Sequence, residues 1–237
     1  SVNPHLNFDD QQFSNKLDIL VAGCGTGQHA LSTASRFRNC NVLAIDLSLT
    51  SLSYAKRKTQ ELGIKNIEYM QGDILKLDQL EREFDIVECV GVLHHMDDPL
   101  AGWKVLVGML RRGGLMKVGL YSEIARQRIV NARKDIAKKE YTSSPDDIRR
   151  YRGEIMNMDT KSDPKISKIK TFNDFFTLSE CRDLLFHVQE HRFTLPQIEV
   201  ALNDLGLKFL GFDLEQRWIR NEFSKLYPEK DALVSLP

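Results

Sequence analysis

Residues 18–28 read Asp18-Ile19-Leu20-Val21-Ala22-Gly23-Cys24-Gly25-Thr26-Gly27-Gln28, an apolar run that breaks into three alternating glycines. The run is short and β-branched, as a buried strand requires, and the residues after Gly27 carry helical spacing. Glycines at a strand-to-helix turn let backbone approach a ligand where any Cβ would obstruct it. A dinucleotide fingerprint needs its third glycine at position 28, which is Gln28 here, so a nicotinamide cofactor and an NAD-dependent oxidoreductase are an alternative only. No G-K-S/T follows, which excludes a nucleoside triphosphate loop. A helix N-terminus behind such a turn favours an anion, and a carboxylate satisfies it as well as a phosphate.

Outward from this turn, strands are predicted at 17–22, 41–45, 67–70, 84–90 and 114–120, with helices at 27–37, 48–62 and 99–110. Strands alternating with helices predict an α/β fold, a doubly wound parallel sheet whose ligand crevice lies beyond the carboxyl ends of the strands. Asp46 ends the second strand, where a carboxylate can accept both hydroxyl protons of a ribose; Ser48 is the better cap for the next helix. Asp73, in Gln71-Gly72-Asp73-Ile74, is placed to accept from an exocyclic amine such as adenine N6, with Ile74 packing on the ring, or else is a turn aspartate.

From Ser122 the strand pattern stops. Ile124, Ile129, Ala132 and Ile136 recur at helical spacing, Ser144-Pro145 opens another helix, and Thr194-Leu195-Pro196-Gln197 a further one that ends at Gly206. A last strand is expected at 207–214 and a mobile loop at 159–170. The organisation expected is a core at 1–121, a helical lid or substrate subdomain at 122–190, seated by Phe172, Phe175 and Phe176, and a closing helix and strand at 191–237. Because the sequence begins without Met and stops at Pro237 without a polar tail, an excised, truncated domain is expected.

The 237 residues carry 33 basic and 33 acidic side chains. Zero net charge gives no field to draw nucleic acid or a membrane surface, and no run approaches the roughly 18 apolar residues of a membrane span. A cytoplasmic protein is the default, without metal, since Cys24, Cys40, Cys89 and Cys181 form no C-x-x-C. The charge is blocked, however: −4 over 1–110, +8 over 111–170 and −4 over 171–237. Arg126 and Tyr151 in the basic block are candidate contacts for an acidic small-molecule or peptide acceptor, although charged helices are more often solvated faces.

The ordered motifs DILVAGCGTGQ, NVLAIDLS, IEYMQGDI, FDIVECVGVLHHMDDP and LRRGGLMKVGLYS resemble the class I S-adenosylmethionine-dependent methyltransferases, in particular the branch of quinone-biosynthesis methylases. The resemblance covers 17–122 and returns weakly at 194–214. It implies a Rossmann-like methyltransferase sheet and S-adenosyl-L-methionine as cofactor. Gly23, Cys24, Gly25, Thr26, Gly27 and Gln28 would line its methionine part; Asp46 and Leu47 would hold the ribose; Gly72, Asp73 and Ile74 would hold the adenine. Cys89, just after the fourth strand, would offer backbone to the cofactor's amino group. GLYSEIARQRIVNARK and CRDLLFHVQEHRFTLPQI also look like the methyltransferase domain of bacterial tetratricopeptide-repeat proteins, which implies such repeats in the full-length chain. The sequence departs from the family at Val21, where an acidic residue two positions before the first glycine is usual, and Asp18 lies at the wrong end of the strand to replace it. A non-catalytic binding or protein-interaction domain is the corresponding alternative.

Methyl transfer is an in-line displacement that needs alignment and, for a poor nucleophile, a base. His94 and His95, after the fourth strand, are candidate bases; Tyr121 and Glu123 are further ones.

Overall fold

The computed structural model describes residues 16–37, 39–159, 166–187, 189–214, 217–228 and 236. In chain order the regular elements are β1 (Leu17–Ala22), α1 (Gln28–Arg36), β2 (Cys40–Asp46), α2 (Leu49–Glu61), β3 (Ile67–Gln71), β4 (Phe84–Val90), α3 (Pro99–Gly108), β5 (Leu110–Gly119), α4 (Gln127–Lys138), α5 (Pro145–Asn157), α6 (Leu178–Phe186), α7 (Leu195–Asp204) and α8 (Arg217–Leu226). The chain divides into two compact units, 1–120 with 195–237, and Tyr121–Thr194.

The first unit is built on a five-stranded parallel sheet of order β3-β2-β1-β4-β5, the doubly wound arrangement expected. Alternation sends Ile19, Val21, Val42, Ala44 and Ile86 to one face with Ala30, Ala34 and Leu52. It sends Leu20, Ala22, Leu43, Ile45, Val87 and Cys89 to the other, with Trp103, Leu106 and Ala201. Burial on both faces is why these strands read as apolar runs, each large aliphatic side chain contributing about 1.5–3 kcal/mol. The strand order reverses between β1 and β4, whose pairing ends at Val21↔Glu88, so a crevice opens there beyond the carboxyl ends.

Strand β5 begins four residues before the expected position. Phe84 pairs with Leu110 but Ile86 with Leu115, so Arg111-Arg112-Gly113-Gly114 bulges out of the ladder. A Cβ on Gly114 would stand 2.8 Å from the Asp85 carbonyl oxygen, and Arg111 reaches from the bulge to Asp85 at 2.8 Å and Asp18 at 3.1 Å. The pattern R-R-G-G reads as a turn; the ion pairs make it part of a strand.

The expected strand at 207–214 does not form. Gly211 has φ 131°, and the Phe209 and Phe212 rings meet at 5.0 Å, an i to i+3 contact that period-2 alternation forbids. The segment packs instead through Leu207 against the core and through Lys117 to Asp213 at 2.6 Å.

The second unit has its own core: Ile129, Ala132 and Ile136 of α4, Ile148, Tyr151 and Ile155 of α5, Ile169 and Phe175, and Cys181, Leu184 and Leu185 of α6. Ser144 caps α5, its side chain accepting from the Asp147 amide. Ile124 is exposed and precedes α4. Phe172 and Phe175 belong to this core and Phe176 is exposed, so their packing is internal to the unit. Of the loop expected at 159–170, residues 160–165 lie outside the described residues; Ser167–Thr171 form a short 3-10 turn with Ser167 and Ile169 buried.

Candidate functional site

The turn after β1 is held by β2. The Gly23 and Cys24 amides both donate to the Ile45 carbonyl, at 2.9 and 2.8 Å. Gly23, Gly25 and Gly27 have φ of 75°, 52° and 87°, the left-handed region that side chains avoid. Their surroundings differ. A Cβ on Gly23 would lie 2.1 Å from Val92 Cγ2, and one on Gly27 would lie 2.6 Å from Ala55 Cβ and 3.0 Å from the Tyr69 hydroxyl. At Gly25 nothing stands within 4 Å of that position. Two glycines therefore let the turn after β4 and helix α2 come close, while Gly25 faces open space. Thr26 and Gln28 are exposed and Cys24 is buried, its thiol pushed up to about 12 by burial and the Asp46 charge. Gly27 caps α1 without a side-chain bond, and the first turn of α1 contains no acidic residue, so its amides are available to an anion.

Asp46 joins this turn to the next. Its Oδ2 accepts from the Gly25 amide at 2.7 Å and its Oδ1 from the Ser48 amide at 2.8 Å. Ser48 is the cap of α2, accepting from the Ser51 amide, so Asp46 is not used as a cap. A third turn is tied to the same point: the Gly72 amide donates to the Asp46 carbonyl at 3.1 Å and Gln71 Nε2 to the Leu47 carbonyl at 2.9 Å. Leu47 is exposed. Asp73 Oδ1 accepts from the Leu75 amide at 3.0 Å, opening the 3-10 turn Ile74–Leu80. Ile74 faces the core and Leu75 is the exposed neighbour, because the 3-10 turn rotates the first apolar side chain inward. The carboxyl ends of β1, β2 and β3 thus form one hydrogen-bonded rim containing Gly25, Asp46, Gly72 and Asp73.

Cys89 lies inside β4, paired with Val118 of β5, and its buried thiol is pushed up to about 12 by burial. Its β1-facing side lies beyond the last β1 pairing. His94 and His95 occupy a 3-10 turn, Leu93–His95, with their rings edge to face at 4.4 Å. His94 is buried and His95 partly exposed.

The basic-block candidates take other roles. Arg126 is buried, with its guanidinium over the Tyr121 ring at 3.9 Å and its Nε and terminal nitrogen on Glu190. Arg133 also reaches Glu190, at 3.0 Å, and Arg192 bonds Glu123 at 2.9 Å. Burial raises Glu190, but the Arg126 hydrogen bond and the charges of Arg126, Arg133 and Arg192 hold it below the usual carboxylate range. Arg126 is therefore engaged by a buried carboxylate and not presented to an acceptor. Burial pushes the Tyr121 hydroxyl up, which disfavours it as a base. Tyr151 is fully buried and donates to the Ala132 carbonyl at 3.2 Å, so it is a core residue.

One residue escaped the sequence reading. Glu88 is 2% exposed in the middle of the sheet, bonded by Thr33 and in contact with His29 Nε2 at 3.1 Å. The signal was available: a single carboxylate inside the otherwise apolar run Val87-Glu88-Cys89-Val90. Among the described residues no group of three or more His, Cys, Asp or Glu is placed to hold a metal, and no helix is long and apolar enough to cross a membrane.

Residues 19–114 match the family described as methyltransferase domain. An uncharacterized protein of Synechococcus sp. is 31% identical over 224 residues, covering 91% of this chain and 52% of that protein. The ubiquinone biosynthesis O-methyltransferase of Marinobacter nauticus is 34% identical over 125 residues, covering 49% of this chain and 50% of its own length. The structure of PKMT2 from Rickettsia typhi in complex with AdoHcy superimposes with a TM-score of 0.68 at 19% identity, over 89% of this chain and 44% of that one; this likeness is one of fold. The chain spans about half the length of the curated relatives it matches. On a 3-2-1-4-5 parallel sheet with a glycine turn after its first strand, residues 19–114 of the chain match the family described as methyltransferase domain.

Proposed function

We propose that the protein binds S-adenosylmethionine on the rim formed by the turns after β1, β2 and β3 and transfers its methyl group to a small-molecule acceptor. The observation that carries this reading is the Asp46 carboxylate, held by the Gly25 and Ser48 amides beside the open side of Gly25. Each of its oxygens accepts one amide and keeps a second lone pair, so both ribose hydroxyls can still be accepted. The uncapped first turn of α1 suits the carboxylate of an amino acid. Asp73 Oδ2 is left for an exocyclic amine, and Leu75 in place of Ile74 offers apolar cover for a base.

The cofactor, when bound, would supply a methyl group on a sulfonium centre, an electrophile for the acceptor. The chain's own residues then have three tasks: to bind through backbone amides and Asp46, to orient through the rigid rim, and to accept a proton where the acceptor requires it. His95, partly exposed in the turn after β4, is the better placed of the two histidines for the last task. The name of the Marinobacter relative supports a small-molecule acceptor with an oxygen nucleophile. Four buried free thiols support a reducing compartment such as the cytoplasm.

Isothermal titration calorimetry with S-adenosylmethionine and S-adenosylhomocysteine tests the reading. Binding of both is expected, and silence with both overturns it. A thermal shift with a nicotinamide dinucleotide but with neither sulfur compound would instead favour the oxidoreductase alternative.

A further inference from the structure

We propose that Glu88 is a positioning residue for cofactor binding, a buried carboxylate that locks the helix behind the glycine turn to the sheet. This inference rests on the cofactor reading above. Glu88 sits on β4 opposite Val21 of β1, the last pair before the two strands part. Its side chain shares the sheet face of Ile86 and Val21, against which α1 packs. Three side chains of α1 converge on it: Thr33 donates its hydroxyl to Oε2, His29 Nε2 lies 3.1 Å from Oε2, and Arg36 lies 3.9 Å from Oε1. Residues 29, 33 and 36 are at i, i+4 and i+7, one stripe from the first turn of the helix to its last.

A carboxylate this deep is costly unless it is paired. Burial acts to raise its titration point, and the hydrogen bonds of His29 and Thr33 with the charges of His29 and Arg36 more than offset that. The remaining contact of α1 with the sheet is shallow, made through Ala30 and Ala34. Small side chains give a helix little to interlock with, so sliding along its axis is weakly opposed by packing. The Thr33 hydrogen bond and the two ionic contacts to one carboxylate set that axial position. Because α1 starts directly after Gly27, whose carbonyl accepts the first helical bond from Leu31 at 2.9 Å, fixing the helix also fixes where the amides of its first turn point.

The test measures calorimetric affinity for S-adenosylhomocysteine and amide hydrogen exchange in the wild type, Glu88→Gln and Thr33→Val. Glu88→Gln is expected to weaken binding about tenfold, the scale of losing one hydrogen bond to a charged group. Amides of residues 28–33 should exchange faster while those of Val42 to Ala44 in β2 do not change. Thr33→Val, which removes the hydrogen bond and leaves the two ionic contacts, should weaken binding about threefold, the lower end of what loss of one hydrogen bond costs. It decides the matter if Glu88→Gln fails to fold. A folded Glu88→Gln that binds like the wild type overturns the role, as does faster exchange spread evenly over α1 and β2, which marks general destabilisation. Failure of the wild type to bind sinks the cofactor reading, whereas a binding wild type beside an equally binding Glu88→Gln sinks the positioning role alone.

Discussion

The backbone amide of Gly25 donates to Asp46 Oδ2 at 2.7 Å, joining two turns that lie 21 residues apart in the chain. One carboxylate thereby ties the glycine turn after β1 to the turn after β2, the rim on which the cofactor is proposed to bind. Its charge is held in place by two amides before any ligand arrives, which is the economy of a preorganised site.

Asp46→Ala should weaken S-adenosylhomocysteine binding by about 10- to 100-fold, the range expected when charge-assisted hydrogen bonds are lost. Asp46→Asn, which retains one acceptor oxygen, should lose less. Titration calorimetry gives both values, and an affinity unchanged in Asp46→Ala removes Asp46 from the site.

The three glycines of the turn should not respond alike to alanine. Gly27→Ala drives a Cβ to 2.6 Å from Ala55 Cβ at φ 87°, and should cost about 2–3 kcal/mol through clash and strain together. Gly25→Ala meets no atom and carries only the strain of φ 52°, about 1 kcal/mol. It should nevertheless impair ligand binding more than its stability loss accounts for. Urea unfolding beside calorimetry separates the two effects.

Arg126→Ala leaves Glu190 buried without its main partner. The loss should be about 3 kcal/mol, as for other buried pairs broken on one side. Tyr151→Phe should cost about 1 kcal/mol, the bond to the Ala132 carbonyl. Chemical denaturation measures each, and a variant of either residue as stable as the wild type would reopen a surface role for it.

The same cluster sets a direction with pH. Glu190 is held below the usual carboxylate range by Arg126, Arg133 and Arg192, so its folded value lies under its unfolded one. Its contribution is complete above the unfolded value of about 4.3 and is lost as pH falls through the lower folded value. Unfolding free energy of the wild type should therefore drop more steeply with acid below about pH 4.3 than that of Glu190→Gln. Parallel curves would count against this.

The strands and the first three helices could be located from the sequence because both faces of the sheet are covered, so each strand appears as an apolar run with a sharp edge. The bulge at Arg111 to Gly114 could not, since R-R-G-G has the local character of a turn and becomes ladder only through Asp85 and Asp18. Nor could the fate of 207–214, where the residues favour a strand but Gly211 and the Phe209 to Phe212 contact break its alternation.

The place of Asp46, at the end of a strand before a better cap, was legible because it is a local fact. Ile74 was misplaced by one position for want of the 3-10 turn that buries it. Arg126 and Tyr151 show the limit most plainly. Both look like available polar groups in a basic segment, and both are committed within their own unit, Arg126 to a carboxylate 64 residues away and Tyr151 to a carbonyl on a neighbouring helix.

Periodicity and glycine placement act over a few residues, so the sequence alone was enough for the parallel sheet and the glycine turn after its first strand. Which charges are spent depends on what lies across space. Thr33 meets Glu88 from 55 positions away, and only the folded sheet and helix bring them within hydrogen-bond reach. A buried carboxylate is tolerable solely because those partners are there, which is why tertiary structure, and not the order of residues, decided that Glu88 ties α1 to the sheet and that Arg126 is spent on Glu190.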